Sequence, residues 1–228
     1  MELETLRDLY IDELKDLWSA ERQLVQALPR MAKAANDPRL AKAFANHLRQ
    51  TERQVTRLER IFKDLGESPR GKKCVGMEGL IEEGKELIKE KPEPQVLDAG
   101  LISKAQHIEH YEIAGYGTVR TYAQVLGEER QAQLLQETLD EEGEADKLLT
   151  QLAEASINIE AAEARGAGAE ETTQRSKARG GRAAAKRSSP EREVTRGTAV
   201  EGAEQDAGRG RSRRTGGQPT RETEASTR

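Results

Sequence analysis

Cysteine occurs once in the 228 residues, at Cys74, so the chain cannot form an internal disulfide and suits a reducing compartment. No uncharged apolar run approaches ~18 residues, which excludes a membrane-spanning helix. The N-terminal Met-Glu-Leu-Glu-Thr-Leu-Arg-Asp has neither the basic start nor the apolar run of a signal peptide. A soluble cytoplasmic protein with no membrane partner is the expectation. Aromatic residues are also scarce. All seven (Tyr10, Trp18, Phe44, Phe62, Tyr111, Tyr116 and Tyr122) fall within residues 1–160, as does every Leu and Ile. Residues 161–228 have none of these and consist mostly of Gly, Ala, Arg, Ser, Thr and Glu. A segment with so little to bury cannot offset its chain entropy. The expected organisation is one domain, 1–160, followed by a disordered low-complexity tail, 161–228.

The tail has 15 Lys/Arg against 10 Asp/Glu, a net of +5, while residues 1–160 have 22 against 31, a net of −9. The overall charge of −4 thus divides into an acidic domain and a basic appendage. The tail has no aromatic residue to stack on bases, so any nucleic-acid contact through it is expected to be weak and non-specific. A mixed-charge spacer is the plainer reading.

Within 1–160 the apolar spacing predicts four long helices. The first covers about 3–35 on Leu6, Tyr10, Leu14, Leu17, Leu24, Leu28 and Met31, with Pro29 bending rather than ending it. Asp37 and Pro38 are a cap and a first helical residue for the second helix, which runs to about Leu65 and stops at Gly66. The third (about 95–126) ends at Gly127, and the fourth occupies about 129–156. Residues 67–94 separate the two pairs and hold one short amphipathic stretch, Met77 to Lys89. A hairpin needs only a few connecting residues, whereas this segment can travel the length of a bundle. A long crossover between the second and third helices is the connectivity of ferritin-like bundles. The expected fold is all-α, a ferritin-like four-helix bundle whose crossover contains a short helix.

Halfway along each long helix stands a carboxylate. Glu21 and Glu52 are equally far from the Asn36-Asp37 turn, and Glu112 and Glu142 are equally far from Gly127. Each lies about 15 residues, or about 23 Å, from its turn, at the waist of the bundle. Glu109 and Asp146 form a second matched pair about one helical turn away. Acids converging on an apolar interior need protons or a cation. The candidate metal ligands are therefore Glu21, Glu52, Glu109, Glu112, Glu142 and Asp146. Oxygen-rich sites suit Fe, Mn or Mg. Dinuclear carboxylate bundles add a Glu-x-x-His pair on two helices, and this chain departs from that. Val55 follows Glu52 at the third position and Ala145 follows Glu142. The three histidines are His47, His107 and His110. His47 shares the core stripe of its helix but not the face of Glu52. His110 is either a ligand or a hydrogen-bonded bundle residue. Cys74, beside Lys72 and Lys73, has the surroundings that lower a thiol pKa, although loop cysteines are commonly inert. Ala114, Gly115 and Gly117 permit close helix–helix approach, within the bundle or between subunits.

Three segments give the chain a likeness: Ser19-Ala-Glu-Arg-Gln-Leu-Val-Gln-Ala-Leu-Pro, Gly71-Lys-Lys-Cys-Val-Gly-Met-Glu-Gly-Leu-Ile-Glu-Glu and Glu109-His-Tyr-Glu-Ile-Ala-Gly-Tyr-Gly. Over about residues 3–160 it resembles the YciE/YciF family of bacterial ferritin-like stress proteins. The resemblance implies a homodimer, a ferritin-like fold near rubrerythrin and a link to stress responses. Together with the acids it sets the functional expectation of a dinuclear iron or manganese site acting in oxygen, peroxide or metal handling. The alternative is a dimeric helical stress scaffold without a working metal site.

Overall fold

The computed structural model describes residues 3–164. The tail expected from 161 onward lies outside these residues except for its first four, which continue the last helix. Among the described residues the fold is all-helical: α1 Leu6–Ala34, α2 Pro38–Leu65, α3 Val75–Glu90, α4 Pro94–Val125 and α5 Glu129–Leu152. A π-helical turn, Ala153–Ile157, follows α5.

Local signals set these limits. Thr5 and Asp8 form a reciprocal capping box that starts α1 three residues later than the periodicity suggests. Pro29 lies inside α1, which continues through it to Ala34. The Asp37 carboxylate caps α2 by accepting from the amides of Arg39 and Leu40. Gly66 and Gly127 adopt the left-handed conformation, φ 71° and 77°, that terminates a helix without a Cβ penalty. The π turn has a packing reason. Leu149, Ala153 and Ile157 are all buried, and the wider turn keeps residues spaced by four on one stripe.

The helix ends reveal the topology. Asp98, near the start of α4, accepts from the backbone amides of Asn36 and Asp37, at the end of α1, both at 2.8 Å. At the other end, Arg7 of α1 pairs with Glu128 after α4, at 3.0 Å. Hence α1 and α4 are antiparallel. Arg39 at the start of α2 reaches Ser156 beyond α5 (2.6 Å), so α2 and α5 are antiparallel as well. Two antiparallel hairpins paired in this way leave α2 parallel to α4, which requires the long crossover. Its helix, α3, packs on α1 and α4.

Two apolar clusters fill the bundle. One unites Leu24, Leu28, Leu40, Phe44, Leu101, Ile108 and Leu149 with Cys74 and Met77 of the crossover. The other unites Tyr10, Leu14, Leu58, Ile61, Phe62, Val119 and Leu135. Of the small residues on α4, Gly115 supports close approach within the bundle, since a Cβ there would lie 2.8 Å from Leu17 Cδ2. A Cβ on Gly117 would meet nothing, and Ala114 is exposed.

Candidate metal centre

Between the two apolar clusters lies a polar layer at the waist. Glu21, Glu112 and Glu142 have no exposed surface, Glu109 is 3% exposed and His47 is 6% exposed. One ligand atom from each of His47, Glu109, Glu112 and Glu142 falls within 4.8 Å of the other three. His47 Nε2 lies 3.4 Å from Glu109 Oε1 and 3.7 Å from Glu142 Oε2. Glu21 joins the same layer from α1, where one of its oxygens accepts from the buried Tyr116 hydroxyl.

The electrostatics of this layer are unbalanced. Burial, and then repulsion by Glu142 and its neighbours, pushes the carboxyls of Glu21 and Glu109 well above the usual range. Glu112 is raised by burial and by Glu21, Glu142 and Glu109. Burial also raises Glu142, with His47 acting the other way. Both oxygens of Glu112, one each of Glu21, Glu109 and Glu142, and both ring nitrogens of His47 are buried without a hydrogen-bond partner. Buried polar atoms are normally paired, because each orphan costs roughly 1–3 kcal/mol. Five acceptors and a ring converging without donors match what a cation supplies, and the oxygen-plus-imidazole set fits iron or manganese.

A surrounding frame holds these side chains. Gln54 Nε2 donates to both Glu142 and Glu141, the latter at 3.1 Å. Arg57 grips Glu141 through two contacts of 3.0 and 3.1 Å and donates to Thr138 at 2.7 Å. Metal ligands are commonly oriented by such outer partners. Glu141, which reads as surface charge in the sequence, is instead the link between Arg57 and Gln54; Glu144 is exposed and pairs with Lys147.

Two of the six sequence candidates fall elsewhere. Glu52 is exposed and outside the cluster, because equal distance from a turn fixes height along the bundle and not rotation about the helix. On α2 the buried stripe is Leu40, Phe44, His47, Thr51, Gln54, Leu58 and Ile61, alternating steps of four and three, and Glu52 falls off it. His47 was already legible on this stripe; the polar Thr51 and Gln54 masked its continuation past the position of Glu52. Asp146 is half-buried and turned away, accepting from Gln106 at 2.9 Å with His110 Nε2 at 3.3 Å. His110 is largely exposed, so it is not a bundle-interior residue.

The thiol expectation also changes. Cys74 is fully buried at the start of α3, its sulfur 2.9 Å from Tyr111 Oη, which donates to Asp16. Lys72 turns to Asp12 and Asp16 and Lys73 to Glu78, so neither stabilises a thiolate. Burial, reinforced by Asp16, pushes the thiol pKa up rather than down.

Residues 5–162 match the family described as Domain of unknown function (DUF892). Protein YciF of Escherichia coli K12 is 43% identical over 162 residues, covering 71% of this chain and 98% of the relative. The crystal structure of the E. coli stress protein YciF aligns with a TM-score of 0.66 at 44% identity, over 68% of this chain and 98% of that one. The structure of YcfI from Rhodopseudomonas palustris aligns at 0.64 and 38% identity, over 65% and 95%. A Xanthomonas campestris protein at 20% identity and a TM-score of 0.55 shares the fold (71% and 99% covered).

Proposed function

This chain belongs to the DUF892 family that includes YciF, and on that premise we propose that its bundle holds a dinuclear iron or manganese centre used in stress protection. The observation that supports this most is the set of orphaned, fully buried carboxylate oxygens around His47. His47, Glu109, Glu112 and Glu142 would hold one ion, and Glu21, with Glu112 and Glu142 beside it, the second. Bound iron or manganese supplies Lewis acidity and one-electron redox chemistry toward oxygen or peroxide. The chain does the rest. Gln54 fixes Glu142, Arg57 and Glu141 fix Gln54, Tyr116 orients Glu21, and the apolar clusters on either side exclude bulk water. Ferrous oxidation by the full-length protein, followed through ferric absorbance, tests this. Turnover above the spontaneous rate that is lost in Glu142→Gln supports it; a rate equal to that of the buffer refutes it.

A scaffold without metal is the second reading, and the raised acids favour it: protonated, Glu109 and Glu142 can share a proton between them. We further propose a cytoplasmic homodimer, to be read by light scattering at twice the chain mass. Weak nucleic-acid contact through residues 161–228 would appear as a mobility shift that collapses between about 50 and 200 mM salt.

A further inference from the structure

The structure assigns a port to the centre: a small pocket between α2 and α5, held open by Ala145, through which ions and small oxidants reach the carboxylates. This rests on the metal-centre reading above. The pocket has a volume of about 40 Å³, and Asn46, Gln50, Ala145 and Leu148 line it together with His47 and Glu109, apolar side chains making up the rest of a mainly apolar wall. The first three are half-buried and Leu148 is 42% exposed, so they form the outer walls. His47 and Glu109 form the inner end. Exposure points to the same place independently. Of the five clustered groups, only His47 and Glu109 keep any accessible surface, and both line this pocket.

A missing side chain explains the opening. In dinuclear bundles the position three residues after a helix glutamate holds an imidazole. Here that position, following Glu142, is Ala145, and a methyl group leaves free the space that a ring would fill. His47 enters from α2 instead. The dimensions also set selectivity. A volume of this size admits a few water-sized molecules at most. A partly dehydrated divalent cation fits, as does dioxygen or hydrogen peroxide, and the Glu109 carboxylate at the inner end is the oxygen donor that meets it. An alkyl hydroperoxide with a bulky substituent does not fit.

The test uses metal-free full-length protein mixed with Co²⁺, following its ligand-field absorption. Ala145→Phe should fill the pocket and slow uptake at least tenfold while reaching the wild-type stoichiometry. Leu148→Ala, at the exposed rim, should widen the mouth and accelerate uptake, and it decides the matter if Ala145→Phe fails to fold. Wild-type rates in a folded Ala145→Phe, or unchanged uptake in Leu148→Ala, overturn the port while leaving the centre standing. No Co²⁺ uptake by the wild-type protein removes the centre and the port together.

Discussion

Replacing Glu112 by methionine should stabilise the metal-free protein and destroy its response to metal. Both Glu112 oxygens are buried without a partner, and Glu21, Glu109 and Glu142 repel the charge. An orphaned buried polar group costs about 1–3 kcal/mol, more if charged. Methionine is unbranched and adaptable, and its repacking should cost less than about 1.5 kcal/mol. The balance is a gain of up to about 3 kcal/mol. For a domain of this size each kcal/mol moves the melting temperature by roughly 2–4 °C, giving a rise of up to about 12 °C in chelator. Manganese should close or reverse that gap. A ligand at 100 times its Kd stabilises the wild-type fold by about 2.7 kcal/mol, and Glu112→Met should gain little of this. Melting followed by circular dichroism, with chelator and then with Mn²⁺, reads both effects. A variant that melts below wild type in chelator would refute the reasoning, because it would mean that these acids already have adequate partners.

Metal-free protein should lose stability as pH rises. The folded-state carboxyls of Glu21, Glu109, Glu112 and Glu142 are raised above their unfolded values near 4.3, so the folded state binds more protons. Their protonated forms stabilise the fold below about pH 4.3, and that contribution disappears as pH climbs toward the raised values; the urea midpoint should therefore fall as pH rises above that unfolded value. With Mn²⁺ the slope should flatten or reverse, since the ion requires deprotonated ligands. Asp98→Ala removes the acceptor for two backbone amides at the α1–α2 turn and should cost about 2–4 kcal/mol in urea unfolding, with Asp98→Asn recovering part. Gly76→Ala places a Cβ 2.8 Å from Tyr111 Cε2, displacing the ring from Cys74 and Asp16, and should cost about 1–3 kcal/mol. Gly115→Ala meets only the mobile end of Leu17 and should cost less.

The long helices, the α2 cap, two of the helix stops and the crossover were legible because each rests on local chemistry: Asp37-Pro38 opens α2, Gly66 and Gly127 close their helices, and 28 residues separate two hairpins. The heights of Glu21, Glu112 and Glu142 were legible for a related reason, since a hairpin pairs residues equally distant from its turn. Rotation was less so. On α2 the buried stripe passes through Thr51 and Gln54, whose polarity disguised it, and Glu52 at the right height faces solvent. The roles of Glu141 and Arg57 depend on which helix lies opposite, as does the direction in which Lys72 turns from Cys74. Those are facts of packing, absent from any single helix.

The central claim is that these buried acids exist to hold metal, and elemental analysis tests it most directly. Full-length protein exposed to Fe²⁺ or Mn²⁺ and then desalted should retain about two ions per chain, the dinuclear load. Glu112→Met, folded and treated alike, should retain substantially less. Negligible metal in the wild-type protein after exposure to either ion would contradict the account and leave a bundle whose waist is held by protons.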